Sequence, residues 1–256
     1  MIKIIFFDID GTLLDFRKEQ LSAKTLEALQ RLKENGIRIC IATGRSPFCL
    51  PKFEGVEFDA YLAFNGSYCF DGSGVIFDNP ISGDDVKRLI QNAAGIGRPV
   101  CIATKDRVAA NGMDTDLADY YGFANMPPIV SPDFDAVAQQ NIYQVMLGCR
   151  KSDYPAILEG VEGAKIAAWW DRATDVVPAN GGKGIGIEKV LAHYHLDRTE
   201  SMAFGDGNND IEMLEAVGIG VAMGNASAEM KAIADDICGH VANDGVYHYC
   251  LEHGLI

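Results

Sequence analysis

Long apolar runs are missing from this 256-residue chain: no stretch approaches the roughly 18 apolar residues that a membrane-spanning helix needs. Residues 2 to 9 are apolar apart from Lys3 and Asp8, too short and too acidic at the end to serve as the apolar segment of a secretory signal. Positive charge is also scarce, with 22 Lys and Arg against 36 Asp and Glu and a formal net charge of −14. That average field repels polyanions, so neither nucleic acid nor an anionic membrane surface is an expected partner. Paired cysteines are absent too. The seven cysteines, at 40, 49, 69, 101, 149, 238 and 250, are odd in number, form no C-x-x-C and lie in apolar surroundings, which reads as reduced core thiols in a cytoplasmic protein. In that compartment the Asn-x-Ser triplets at Asn65 and Asn225 carry no weight as glycosylation sites. There is no internal repeat and no low-complexity tract.

Apolar material is plentiful: 48% of the residues are hydrophobic and 23% charged, enough for a substantial core. Lys3 to Phe7 is a short β-rich run closed by the turn chemistry of Asp10-Gly11. Ser22 can cap a helix with Leu26, Leu29 and Leu32 on one face, and Gly36 ends it before a strand over 37–42. A third apolar run over 61–64 precedes Asn65-Gly66, and the whole predicts a parallel sheet covered by helices. From Asp84 the pattern changes to a helix reaching Ala94 and runs at 100–103, 108–110, 142–147 and 166–170, the mixed order of an inserted α+β module. Beyond Pro178 and Gly181-Gly182, alternation resumes with helices over 183–194 and 209–216 and strands over 202–204 and 219–222. The expected division is a core of 1–83 and 180–256 with an insertion of 84–179. The insertion carries nine basic against thirteen acidic residues and the remainder thirteen against twenty-three, so the core is the more acidic part and favours a cation site.

Chemistry concentrates where strands end. Asp8 and Asp10 stand two apart at the carboxyl end of the first strand, on one side of it, at the sheet edge where open α/β folds bind ligands. Two carboxylates so close repel each other unless a cation or shared proton intervenes, and hard oxygen ligands suit Mg²⁺. Read blandly, the pair is a solvated Asp-Gly turn. Gly205-Asp206-Gly207-Asn208-Asn209-Asp210 again follows a strand and opens a helix; ordinary capping accounts for all of it but Asp206. Neither acidic stretch fits a calcium loop, since its sixth-position glycine would be Leu13 or Ile211. Thr43-Gly44-Arg45 can offer a hydroxyl, a backbone N–H and a guanidinium to a phosphate oxygen, or serve only as a turn. Lys183 opens a helix against its dipole, with Gly184 and Gly186 in the first turn, and such unfavourable local choices point to function. Gly184-Ile185-Gly186 follows no strand and is no dinucleotide fingerprint.

Together, Asp8-Ile9-Asp10-Gly11-Thr12, Thr43-Gly44-Arg45, Lys183 and Gly205 to Asp210 resemble, in order, the four motifs of the haloacid dehalogenase (HAD) superfamily. The insertion resembles the type IIB cap of its Cof-type sugar-phosphatase branch. The resemblance implies a Rossmann-like core with helices on both faces of a parallel sheet, plus an α+β cap that sets specificity. It implies Asp8 as nucleophile and Asp10 as general acid/base. Mg²⁺ would be held by Asp8, the Asp10 carbonyl and Asp206, phosphate contacts would come from Thr43, Gly44, Lys183 and Asn209, and Asp210 and Arg45 would give support from behind. The expected activity is hydrolysis of a small phosphorylated metabolite, above all a sugar phosphate, through an aspartyl-phosphate. A phosphomutase or phosphotransferase using the same intermediate, and a non-catalytic phosphometabolite-binding protein, stay open as alternatives. In the insertion, Trp169-Trp170 can stack on a sugar or simply pack, and Arg107, Asn111 and Asp114 are candidate polar rim residues; in the core, His193 and His195 suit a helix end better than a metal.

Overall fold

The computed structural model of the chain describes residues 1–15, 18, 20–123, 130–168 and 171–256. It divides into two compact units, one made of Met1–Gly44, Pro51–Asp78 and Gly182–Ile256, the other of Arg45–Leu50 and Asn79–Gly181.

The first unit opens with β1 (Ile4–Phe7), four residues that are all buried. A strand with no polar alternation has to be covered on both faces. In α1 (Ala23–Glu34) the Ser22 hydroxyl accepts from the Thr25 N–H at 3.0 Å, a cap worth about 1 kcal/mol, and Ala28, Leu29 and Leu32 face inward. The chain then enters β2 (Arg38–Ala42) and β3 (Ala60–Ala63). Only four residues separate β3 from β4 (Tyr68–Asp71), and β5 (Gly74–Asp78) follows directly. A parallel crossover takes a dozen residues or more, so β4 and β5 return antiparallel and extend the parallel sheet at this edge.

The second unit is α2 (Gly83–Gly95), β6 (Val100–Ala103), β7 (Val108–Ala110), α3 (Thr115–Phe123), α4 (Phe134–Val137), β8 (Gln144–Gly148), α5 (Tyr154–Ile157), β9 (Ala164–Ala167) and β10 (Ala173–Pro178). Its strands form an antiparallel sheet in the order β7-β6-β8-β10-β9. Val86, Leu89 and Ala93 of α2 pack with Ile102, Val145, Leu147 and Val176 on one face. The alternate residues Cys101, Met146 and Asp175 are cross-strand neighbours and share the other face. There α3 is fastened: Tyr120 donates to Asp175 Oδ1 at 2.6 Å, and Tyr121 donates to Cys101 Sγ and Met146 Sδ. Burial raises the Asp175 carboxyl to about 6, against the hydrogen bonds of Tyr120 and Gln144. Arg98, Arg150 and Arg172, at one end of β6, β8 and β10, converge on Asp116 in the first turn of α3.

The chain returns to the first unit with α6 (Lys183–His193), β11 (Ser201–Gly205), α7 (Ile211–Ala216), β12 (Ile219–Ala222), α8 (Ala228–Ile233), β13 (Asp236–Ile237) and α9 (Gly245–Glu252). The first unit's sheet has the order β13-β12-β11-β1-β2-β3-β4-β5, parallel from β13 to β3. Ile4 and Phe6 pack with Ile187 and Val190 of α6 and Met213 and Leu214 of α7. On the alternate positions Phe7 stacks on Phe204, which meets Tyr249 of α9 edge-on. Helices thus cover both faces. All seven cysteines are free, and among the described residues no helix is long and apolar enough to cross a membrane.

At the β4 end of this sheet, Asp71 accepts from the N–H and hydroxyl of Ser73, from Gly74 N–H, and from the Tyr194 hydroxyl, and lies 3.0 Å from His193 Nε2. Desolvation opposes its charge, yet these partners win and lower the carboxyl to about 2. A carboxylate whose folded pKa lies below its unfolded one stabilises above the unfolded value, and the effect fades as the pH falls from about 4 toward 2. Asp71→Asn is therefore expected to lower the stability seen in urea unfolding by about 1 kcal/mol at pH 7, with the gap from wild type closing near pH 2.

Candidate active site

Four strand ends meet at the carboxyl edge of the parallel sheet, where β1 lies between β2 and β11 and the strand order reverses. Asp8 follows β1 directly and keeps the parity of Ile4 and Phe6, the side packed by α6. The first residue of α6 is Lys183. Its ammonium is fully buried and donates to Asp8 Oδ1 at 2.6 Å and to Asp210 Oδ1. Burial works against the Lys183 charge, but the carboxylates of Asp210 and Asp8 outweigh it and raise its pKa. Burial raises the Asp8 carboxyl well above the usual range; Lys183 opposes this, while Asp210, Asp206 and Asp10 add to it. The two glycines beside Lys183 have a packing reason: a Cβ at Gly184 would lie 2.7 Å from the Glu212 carbonyl oxygen, and one at Gly186 would lie 2.9 Å from Gly66 Cα. Larger residues would push the lysine away from Asp8.

Asp206 follows β11, and Asp210 lies in the 3-10 turn that leads into α7. Asp210 Oδ2 accepts from the N–H groups of Asp206 and Gly207 at 3.1 and 3.0 Å, so this aspartate both receives the lysine and shapes the loop. Asp206 Oδ1 accepts from the Thr12 hydroxyl at 3.0 Å. Burial, then Asp210, raises the Asp206 carboxyl to about 7, with the Thr12 hydrogen bond and Lys183 pulling the other way and Asp10 adding to the rise. Gly11 takes φ +92°, and any Cβ there would run into the Asp206 carboxylate. Only glycine lets the two acidic loops approach this closely. Asp8, Asp206 and Asp210 each offer an oxygen within 4.8 Å of the others, a set that could hold a cation. Asp10 is half-buried, pairs through its backbone with Leu14 and acts on Asp8 and Asp206 through its charge.

Thr43 is buried at the end of β2, with its N–H on the Leu62 carbonyl and its own carbonyl receiving the Asn65 N–H at 2.9 Å. Gly44 lies against the Asn65 amide, and Asn209 donates to Asn65 Oδ1 at 3.2 Å. Phe64 and Asn65 have φ of 50° and 52°, consecutive left-handed residues of the kind that concentrate at functional sites. Arg45 belongs to the second unit, and its guanidinium donates to the Cys49 carbonyl at 3.4 Å. Asn65 and Asn225 were missed by the motif reading. Asn65 enters that reading as a glycosylation triplet and as the Asn65-Gly66 step after the apolar run 61–64, and Asn225 only as a triplet three positions beyond the run 219–222. Elsewhere, Arg107 pairs with Asp133, Asn111 accepts from Val100 N–H, Asp114 receives Arg98 and the Leu117 N–H, and His193 meets Asp71. These are contacts that hold each unit together. Trp169 and Trp170 lie outside the described residues.

The family described as haloacid dehalogenase-like hydrolase matches residues 5–250. The chain belongs to this family. A relative, the phosphatase-named YkrA of Bacillus subtilis (strain 168), is 34% identical over 256 residues, covering 99% of this chain and 98% of that one. The structure of BT1666 from Bacteroides thetaiotaomicron, titled among phosphatases of the superfamily, aligns with a TM-score of 0.93 at 31% identity over 100% of this chain and 96% of that one. BT4131, titled a HAD subclass IIB sugar phosphatase, aligns with a TM-score of 0.86 at 29% identity over 99% and 100%. The present chain is likewise a Cof-type haloacid dehalogenase-like hydrolase and a phosphatase.

Lys183 holds two buried carboxylates at once, and breaking a buried ion pair from one side leaves the other charge uncompensated, at about 3–5 kcal/mol. Lys183→Met should lower urea-unfolding stability by that order, and Lys183→Met/Asp210→Asn should regain part of it. Equal stability of wild type and Lys183→Met would contradict the placement of this charge.

Proposed function

We propose that the chain is a Mg²⁺-dependent phosphomonoesterase acting on small phosphorylated metabolites, sugar phosphates first among them, through an aspartyl-phosphate on Asp8. The observation that carries the reading is the cluster of Asp8, Asp206 and Asp210 around Lys183. Three carboxylates face one ammonium, so the pocket keeps an excess of negative charge and hard oxygen donors, the setting a small divalent cation fits. Asp8, the Asp10 carbonyl and Asp206 would hold Mg²⁺, with Asp210 behind them. A bound Mg²⁺ supplies charge neutralisation for the phosphoryl oxygens.

The remaining chemistry belongs to side chains. Lys183 opposes the rise that burial imposes on the Asp8 carboxyl and contributes positive charge where a phosphate would otherwise meet only carboxylates. Asp8 attacks phosphorus as its bond to the leaving oxygen breaks, and Asp10, protonated, gives that oxygen its proton. Water then attacks phosphorus and the bond to the Asp8 oxygen breaks, while Asp10, now a carboxylate, accepts the water proton and inorganic phosphate leaves. Thr43, Gly44 and Asn209 orient the phosphate, with Asn65 binding Asn209 from behind and Arg45 supporting the Thr43-Gly44 turn. The second unit, proposed as the cap, selects the organic part of the substrate. Its strand ends and helix α3 carry no phosphate motif, which leaves shape and polarity as its means of selection. BT4131, by its title a sugar phosphatase, supports sugar phosphates as the first class to test. Seven free cysteines, six of them buried, suit the reducing cytoplasm.

The test is inorganic phosphate release from a panel of sugar phosphates, nucleotides and cofactor phosphates, with Mg²⁺ and with EDTA. Release that needs Mg²⁺ supports the reading; an isomerised sugar phosphate in place of inorganic phosphate would assign a mutase instead. Asp8→Asn should lose turnover altogether, provided deamidation is excluded by mass spectrometry. Asp10→Asn should lose about 10²–10⁴-fold in kcat, the usual contribution of a placed acid and base. Turnover by Asp8→Asn at the wild-type rate would remove the nucleophile assignment.

A further inference from the structure

Asn225 lies in the loop after β12, beside the end of β11: Ala222 pairs with Gly205, and Met223 N–H donates to the Gly205 carbonyl at 2.9 Å. Its side chain is spent entirely on three separate segments. Asn225 Nδ2 donates to the Gly11 carbonyl at 2.7 Å and to Asp206 Oδ2 at 3.3 Å, and Oδ1 accepts from the Val241 N–H at 2.9 Å. The Val241 bond fixes which end of the amide points where, so it is the donor end that faces the two acidic loops. An aspartate here would turn a carboxylate on Asp206.

We propose that Asn225 is a positioning residue that clamps the Asp8–Gly11 turn to the Asp206 loop and sets the orientation in which the Asp206 carboxylate meets a cation. The Asp206 carboxylate is held from both of its oxygens, Oδ1 by Thr12 and Oδ2 by Asn225. Thr12 and Gly11 are adjacent, so the same turn is gripped twice, once through a side chain and once through a carbonyl. The steric partner of this grip is Gly11 itself, over which Asp206 lies so closely that no Cβ fits. Two carboxylate-bearing loops that repel each other need a neutral donor between them, and an amide supplies hydrogen bonds to both without adding charge. Ligands oriented by outer hydrogen bonds lose typically about 10–100-fold in metal affinity when those bonds are removed. The nucleophile and the proton donor are not touched by Asn225, which separates its effect from theirs.

Since this role presupposes Asp206 as a cation ligand, the wild-type protein is the first arm of the test. Metal-free wild type, Asn225→Ala and Asn225→Ser are titrated with MgCl₂ by calorimetry, the unfolding midpoint is followed with and without Mg²⁺, and kcat is measured against Mg²⁺ concentration. The expected result is Mg²⁺ affinity weaker by about 10–100-fold in both variants, a smaller Mg²⁺-induced rise in midpoint, and a kcat that recovers once Mg²⁺ saturates. Asn225→Ser carries the measurement if Asn225→Ala does not fold. Unchanged Mg²⁺ affinity in a folded variant overturns the proposal, as does a drop in midpoint that leaves the Mg²⁺-induced rise intact, the mark of a merely structural residue. Wild type that binds no Mg²⁺ removes the cation reading and this role together.

Discussion

A single buried ammonium organises this active site. Lys183 occupies the first position of α6, where the helix dipole disfavours a cation, and has no exposure to water. The carboxylates of Asp8 and Asp210 keep it charged there, and the lysine in turn holds two buried carboxylates side by side. The interaction joins the end of the first strand to the loop before α7, 202 positions along the chain. Asp210 passes the constraint on through the N–H groups of Asp206 and Gly207, and Asp206 passes it to Thr12. Positions of oxygen atoms that a phosphate or cation would meet thus descend from one salt bridge, not from the loops taken one at a time.

The second unit is organised by a different balance. Its charges are neutralised at the sheet end, with Arg98, Arg150 and Arg172 against Asp114, Asp116 and Asp119. Among the described residues its one deeply buried carboxylate, Asp175, is met by the Tyr120 hydroxyl and by Gln144. Burial raises this acid to about 6 against neutral hydrogen-bond donors, whereas at Asp8 the partner that opposes burial is a lysine.

Much of this was legible in the residues. Ser22 capping α1, the strands through Phe7, Ala42 and Ala222, and the helix opened by Lys183 all followed from local chemistry, since each depends on neighbours a few positions away. The antiparallel turn-back at β4 and β5 did not, because Tyr68–Asp78 alternates weakly and its direction is decided by the shortness of a four-residue link. The four acidic and basic motifs pointed to one sheet edge, but motifs say which residues meet, not how. That Asp210 receives the lysine directly, and that Thr12 and Asn225 divide the oxygens of Asp206 between them, depends on side-chain directions fixed by long-range packing. Asn65 and Asn225 do not stand out for the same reason: an uncharged amide just beyond a strand looks like any turn residue until its partners are in place.

The threading of the first unit has a consequence for how the protein is made. Of the two neighbours of β1, β2 follows within forty residues, whereas β11 is translated almost 200 residues later. During that interval the first strand has only β2 beside it, while the stretch from Asn79 to Gly181 has nearly everything it needs to close its own sheet. Pairings between residues so far apart in sequence are slow to form. The intervening stretch carries the partners of its own strands, whereas β1 has to wait for β11, and the mutually repelling acids Asp8, Asp206 and Asp210 can meet only once the lysine that reconciles them has been synthesised.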